Sequence, residues 1–538
     1  MTSTRLVLAN FWVAVAAFAV ASLLGVMQSI ARAGVQLPFG SAGLYYLSVT
    51  AHGVLMALVF TTFFIMALGY MVMDSTLGRV ATPRWAWTGY WCAVIGTVVT
   101  TVAILSGSSS VLYTFYPPLR AHPAFYLGAT LLVVGSWIWC GVMIGSYWTW
   151  RRANRTLRVP LAAHGMMAAV LVWILATIGL GIEVLVLILP WSLGLVDHID
   201  PIAARTYFWW FGHPLTYFWL IPAYVLWYTL IPRVAGGKLF SDAVTRVVFV
   251  QFILFSTPVG LHHQFTDPGI ASGWKLVHTF TTYAIMFPSL VTAFTVIASL
   301  EHAGRANGGT GTFGWIRYLP WRDPFFAGVA LSMITFTMGG FGGAINAAYA
   351  MNAMIHNTAW IQGHFHLTVG TAVALSFMGV SYWMLPRLTG RTLILPTLAT
   401  WQPYLWFVGM MCFSIPNHIV GLLGMPRRVY SAFYAGSPIA ATWTPYVNLS
   451  AVGGVILTLS SICYLAVIVG TMLVSPRGDV GTIDYAESLI PPTPGPSLWD
   501  RFGLWFVVAA VLILIVYAPP LYHLHTMPGF LSPGYSPF

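Results

Sequence analysis

Thirteen predominantly apolar stretches, each near or above the roughly 20 residues that a helix needs to cross a bilayer, dominate this chain. They fall near 8–29, 44–73, 86–106, 124–148, 162–195, 204–231, 244–266, 275–301, 324–349, 357–386, 400–424, 446–475 and 499–523. In hydrocarbon, backbone N–H and C=O groups have to be paired within the segment, which a helix achieves and a lone strand does not. The expected fold is an all-α membrane protein with about 13 transmembrane helices. With 58% hydrophobic and 7% charged residues, a soluble globular protein is excluded. The longest polar connectors, about 302–323 and the Pro-rich 476–498, leave no room for a further domain, so residues 1–538 read as one transmembrane domain.

A net charge of +11 raises nucleic acid as a partner, but the placement of the charges points to lipid instead. Arg5, Arg79, Arg84, Arg151, Arg152, Arg155, Arg158, Arg233, Lys238, Arg246, Arg305, Arg317, Arg322, Arg387, Arg391, Arg477 and Arg501 share one side of the alternating spans. Only Arg32, Arg120, Arg205, Lys275, Arg427 and Arg428 fall on the other. The positive-inside rule then puts the N-terminus in the cytoplasm and, after thirteen crossings, the C-terminus outside. The Ala31-Arg32-Ala33 string resembles a signal-peptidase site, but the apolar run before it is too long for a signal peptide, so the first span is expected to be retained. Cys92, Cys140, Cys412 and Cys463 are isolated within spans and form no CxxC, which reads as apolar packing.

Histidine inside a span is costly and normally marks function. Six occur here: His52, His213, His262, His263, His364 and His366. Counted along alternating spans, all lie within ~15 Å of the outer ends of their helices, at 1.5 Å per residue. Imidazole is the common protein ligand for haem iron and copper, so six at one depth suggest a redox metal centre. His364 and His366 point to opposite flanks of one helix, about 200° apart. His262 and His263 would sit about 100° apart in a regular helix, and Pro258 just before them can loosen the turn. His213 and Tyr217 are spaced i, i+4 and share a face.

The strings Trp209-Trp210-Phe211-Gly212-His213-Pro214-Leu215-Thr216-Tyr217, Pro258-Val259-Gly260-Leu261-His262-His263-Gln264 and His356-Asn357-Thr358-Ala359-Trp360-Ile361-Gln362-Gly363-His364-Phe365-His366 carry a resemblance. The chain resembles subunit I of the haem–copper oxygen reductases, specifically the B-type (ba-type) oxidases, essentially end to end. The resemblance implies that His52 and His366 ligate a low-spin, b-type haem and that His364 is the proximal ligand of a high-spin, a-type haem. It further implies that His213, His262 and His263 bind the copper called CuB. Tyr217 would be joined covalently to His213 and supply an electron and a proton when the dioxygen bond breaks. Arg427, Arg428, His356 and Asn352 would meet the haem propionates. Asn352 departs from the Asp that relatives often carry, which puts a proton-loading role there in doubt.

Reducing dioxygen requires protons to cross hydrocarbon along polar groups. Tyr217, Tyr224 and Tyr228 form one stripe, and Ser289, Thr292 and Thr295 form a second one running the same way. Together they resemble the single K-type channel of B-type oxidases. Leu215 stands where A-type oxidases carry Glu, so a D-type channel is not expected. Glu183, the one acid deep in a span, is either a packed neutral carboxyl or a proton carrier.

The expected function is therefore the catalytic subunit of a proton-pumping terminal oxidase in a prokaryotic cytoplasmic membrane. A nitric oxide reductase of the same superfamily is the first alternative, disfavoured because those proteins place Glu where Tyr217 stands. A non-redox metal-binding transporter is the second, disfavoured by the opposed His364 and His366. No CxxxC-type copper motif occurs, so a subunit II carrying the CuA site is the expected partner. A small single-helix subunit is expected beside it, with an external cytochrome c or small copper protein as electron donor.

Overall fold

The computed structural model describes residues 2–36, 40–78, 80–527 and 529–536; Arg79, counted above among the basic residues, lies outside them. Among the described residues twelve helices are long and apolar enough to cross a membrane. They are α1 (Ser3–Arg32), α2 (Ala42–Leu77), α3 (Pro83–Leu105), α4 (Pro123–Ala153), α5 (Leu161–Ser192) and α6 (Pro201–Val234). Beyond a shorter α7 (Asp242–Phe255) follow α8 (Ser272–Ala306), α9 (Pro324–Ala347), α10 (Trp360–Thr389), α11 (Pro396–Leu422), α12 (Thr444–Val474) and α13 (Phe502–Thr526). Strand structure is confined to short pairs: Leu239–Ser241 runs parallel to Ser488–Ile490, and His198–Ile199 antiparallel to Ser532–Pro533.

Local chemistry sets many of these starts. Proline occupies the first turn of α3, α4, α6, α9 and α11, where its missing N–H is not needed. Asp200, Ser241 and Asp323 accept hydrogen bonds from the first N–H groups of α6, α7 and α9. Small residues set the closest helix approach: a Cβ on Gly96 of α3 would stand 2.5 Å from the Gly128 carbonyl oxygen of α4, and one on Gly135 2.6 Å from that of Gly89. In lipid, such contact replaces a hydrophobic driving force between helices.

The seventh expected span, 244–266, takes a different form. Its α-helix ends at Phe255, and the histidine-bearing residues Gly260–Gln264 form a 3-10 turn. Pro258 explains the stop, because it removes a backbone donor and disfavours α geometry in the residue before it.

Three spans contain a π-helical segment: Leu55–Phe60 in α2, Glu183–Ile188 in α5 and Thr368–Val373 in α10. Two of them directly follow His52 and His366. Beyond the α10 segment, the Ser376 hydroxyl receives the Trp227 indole N–H at 3.0 Å and lies 2.7 Å from the Ser332 hydroxyl.

On the arginine-rich side, Arg246 joins three elements. It donates to Asp242 at 2.8 Å, to Asp500 at 2.7 Å and to the Val159 carbonyl at 2.7 Å. His164 of α5 also donates to Asp500, at 3.0 Å. Burial alone would raise the Asp500 carboxyl, but the His164 hydrogen bond and the Arg246 charge outweigh it and hold the group below its ordinary value. The starts of α5, α7 and α13 are thereby tied together.

Candidate metal and haem centre

One continuous, mainly apolar cavity runs through the middle of the helix array, and all six histidines line it. His52 and His366 stand on one flank with Phe18, Gly25, Met410 and Phe413; His213, His262, His263 and His364 stand on the other. Tyr217, Ser289, Arg427 and Arg428 line the same cavity, and Glu183 does not. Both carboxyl oxygens of Glu183 are buried without a partner among the described residues.

His213 sits where α6 breaks between Gly212 and Pro214. Together with His262 and His263 it forms a cluster whose ligand atoms all lie within 4.8 Å of one another. His213 Nδ1 and His263 Nε2 are 3.1 Å apart. Two nitrogens each bonded at about 2.0 Å to one ion, at an angle between square and tetrahedral, stand roughly 3 Å apart, so the pair fits a small divalent metal. His262 gives its Nδ1–H to the Thr282 hydroxyl at 2.9 Å, which fixes its tautomer and leaves Nε2 for an ion. His263 stacks on the Trp209 indole with centroids 3.7 Å apart. The rings of His213 and Tyr217 lie 5.4 Å apart, and His213 Nε2 is buried with no partner among the described residues.

His52 and His366 have matching geometry. Each gives Nδ1–H to a backbone carbonyl at 2.8 Å, His52 to Ala21 of α1 and His366 to Gln362 one turn earlier. Both then present Nε2 as a ligand, the second-layer arrangement expected of metal-binding imidazoles. His364 lies against α9, where a Cβ on Gly342 would come within 2.8 Å of its Nδ1, and its ring stacks with Trp360 at 5.7 Å.

Above the cavity lie cations without anions. Among the described residues Arg427 Nε, Arg428 Nε and Nη2, and His356 Nε2 are buried and unpartnered. Burial, and next the neighbouring Arg428, push the Arg427 guanidinium down to about 10. Burial likewise pushes His356 down to about 4. His356 Nδ1 and Asn352 Oδ1 are 3.2 Å apart, and Asn352 Nδ2 donates to the carbonyl and side-chain oxygens of Asn346 at 2.7 and 2.8 Å. Two unpaired guanidiniums over a cavity lined by four-sided imidazole chemistry fit carboxylate-bearing haems.

The two hydroxyl stripes meet below. Tyr224 Oη and Ser289 Oγ are 3.2 Å apart, and Tyr228 donates to Thr292 Oγ1 at 2.6 Å. Thr292 passes its own proton to the Pro288 carbonyl at 2.7 Å, so it back-bonds to its helix and accepts from the stripe at once. Thr295 is fully buried without a hydroxyl partner among the described residues.

Several participants are absent from the sequence reading. Ser299, four residues beyond Thr295, extends the hydroxyl row and was visible by the same spacing. Thr282, Asn346 and the Arg32–Gln362 hydrogen bond of 2.9 Å join residues far apart in the chain, and no local pattern announces them.

This combination of all-α membrane fold, three convergent imidazoles and a haem-sized cleft between opposed histidines defines a redox membrane metalloprotein. A family model described as Cytochrome C and Quinol oxidase polypeptide I matches residues 5–456. The chain is 41% identical to cytochrome c oxidase subunit 1 of Thermus thermophilus over 534 residues, covering 96% of this chain and 94% of that one. It is 25% identical to cytochrome c oxidase subunit 1 of Bacillus subtilis, covering 92% and 80%. A solved heme-copper terminal oxidase dimer superposes with a TM-score of 0.95 at 37% identity, covering 100% of this chain and 95% of that chain. The chain belongs to the haem–copper oxidase subunit I family. Membership implies an oxidoreductase of a respiratory chain that uses haem and a copper, and whose subunit I generally works with a subunit II.

Proposed function

We propose that this chain is the catalytic subunit of a B-type, proton-pumping terminal oxidase that reduces dioxygen to water. The observation that carries the reading is the His213–His262–His263 cluster with Tyr217 one turn from His213 and hydroxyl pairs leading away from it. One dioxygen takes up four electrons and four protons to give two waters. When bound, the high-spin haem and the copper supply the site where dioxygen is held and receives electrons.

The protein's own groups do the rest. His52 and His366 hold the low-spin haem, b-type by resemblance, through Nε2. His364 holds the high-spin haem, a-type by resemblance, and His213, His262 and His263 hold CuB. Tyr217 delivers a proton and an electron from beside the copper, and the orphaned His213 Nε2 leaves room for a covalent link to that phenol. Protons reach Tyr217 along Thr295, Thr292, Tyr228, Ser289 and Tyr224. Arg427, Arg428 and His356, the last steadied by Asn352, neutralise the propionates. The N-terminus and the arginine-rich side face the cytoplasm of a prokaryote. A subunit II with CuA, a small single-helix subunit and an external cytochrome c or copper protein complete the electron path.

Three measurements on the purified complex test this together. Two haems and one non-CuA copper per chain, a low-spin and a high-spin signature in the reduced optical spectrum, and steady-state oxygen consumption are expected. A preparation without haem, or one that consumes nitric oxide and leaves oxygen untouched, would refute the reading.

A further inference from the structure

The 3-10 turn bearing His262 and His263 has exposed its first backbone donors, as any helix start does. In a span interior no water is available to take them. Two side chains from other helices do so. Gly260 N–H donates to the Tyr517 hydroxyl of α13 at 3.1 Å, and Leu261 N–H donates to His278 Nδ1 of α8 at 3.2 Å.

Each of these partners continues onward. The Tyr517 hydroxyl donates to the Trp209 carbonyl of α6 at 3.3 Å, so a single phenol bridges the backbones of the two elements that carry the copper-ligating histidines. Trp209 lies four residues before His213, and Gly260 two before His262. Because Nδ1 of His278 accepts, its proton is on Nε2, which donates to the Val516 carbonyl at 3.3 Å. That carbonyl is free for a reason written in the sequence: its helical partner would be the N–H of residue 520, and residue 520 is proline. Gly260 confirms how tightly the joint is closed, since a Cβ there would lie 2.1 Å from the Trp209 oxygen and 2.2 Å from the Tyr517 hydroxyl. Tyr517 also stacks on Trp210 with centroids 5.0 Å apart, and both Tyr517 and His278 are fully buried.

We propose that Tyr517 and His278 are positioning residues for the copper site. They form a cradle that holds the Gly260–Gln264 turn against the Trp209–His213 segment, so that three imidazoles converge on one ion. The cradle is supplied by α13, which lies beyond residues 5–456 matched by the family model. The inference rests on the reading of His213, His262 and His263 as copper ligands.

The test compares Tyr517→Phe, His278→Leu and His278→Gln with the parent in the purified complex. Copper-to-iron ratio is measured during titration with a copper chelator. The vibrational band of carbon monoxide transferred to copper by low-temperature photolysis is recorded alongside. In Tyr517→Phe and His278→Leu the chelator concentration that strips half the copper should fall about tenfold, as expected when support of a metal ligand is lost, and the carbon monoxide band should broaden or shift. Both haem spectra should stay as in the parent. His278→Gln, which keeps an acceptor for Leu261 and a donor for Val516, should restore parental behaviour. Tyr207→Phe cuts the 3.1 Å contact between Tyr207 and His525, another link between α6 and α13, and should leave copper unchanged. Parental copper retention and an unshifted band in Tyr517→Phe would overturn the proposal. So would an equal loss in Tyr207→Phe, which would show that only helix docking matters. A parent complex with no copper at these histidines would instead refute the ligand reading on which the cradle rests.

Discussion

The two groups of histidines are held in opposite ways. His52 and His366 stand on continuous helices, and each is oriented by a backbone carbonyl at 2.8 Å. His213, His262 and His263 stand where helices are interrupted, at the Gly212–Pro214 break and in a 3-10 turn. Their orientation comes from side chains of other spans: Thr282 for His262 and the Trp209 ring for His263. A backbone carbonyl cannot be mutated away, so the haem pair is robust to substitution around it. The copper trio depends on side-chain identity at several distant positions, and in return its ligands can approach one ion from separate directions.

The largest effect expected is from the ligands of the robust pair. His366→Ala or His52→Ala should remove the low-spin haem entirely while copper stays, read from the reduced optical spectrum and the copper content. Retention of both haems with an unchanged six-coordinate spectrum would break the comparison at its first member. Next, Tyr217→Phe should keep both haems and copper but lower oxygen consumption by on the order of 10²-fold or more, the usual worth of a positioned proton donor. Near-parental turnover would make Tyr217 a packed aromatic only.

Thr282→Val addresses the contrast directly. Losing the hydroxyl that fixes His262 should weaken copper binding by about tenfold or more, with no change in haem spectra. Copper retention equal to the parent would mean that the trio is as self-sufficient as the pair. Thr292→Val should have the smallest effect of the four. It deletes one neutral hydrogen bond, worth about 1 kcal/mol, so proton uptake after flash release of carbon monoxide should slow by about fivefold. Unchanged uptake would show that the bond to Pro288 is the threonine's whole role.

The histidines and Tyr217 were legible in the sequence because an ionisable group in hydrocarbon is conspicuous and because the spacing i, i+4 is local. The tyrosine and hydroxyl stripes were legible for the same reason, and Tyr224–Ser289 and Tyr228–Thr292 do pair across helices. What supports these residues was not. Pro258 announced a disturbance, but whether helix resumes as α or 3-10 depends on Gly260 wedging against Trp209 and Tyr517. Those residues are 51 and 257 positions away from Gly260, and no periodicity links them. The Arg32–Gln362 and Asn346–Asn352 contacts were hidden likewise, the first by distance and the second by a loop whose path no pattern predicts.

The π segment after His366 makes α10 sensitive to length as well as to composition. A π segment accommodates one residue more than the regular helix would over the same rise. Deleting any one residue of Thr368–Val373 would let the segment relax to α geometry and turn everything beyond it by about 100°. Ser376 would then swing away from both Trp227 and Ser332, and the far half of α10 would present the wrong face to α6 and α9. Substitutions within Thr368–Val373 should therefore be tolerated far better than single-residue deletions, whereas surface connectors such as 476–498 should accept changes in length at little cost. The ten positions from His366 to Ser376 act as a ruler, and the separation they measure is held by count more than by side-chain identity.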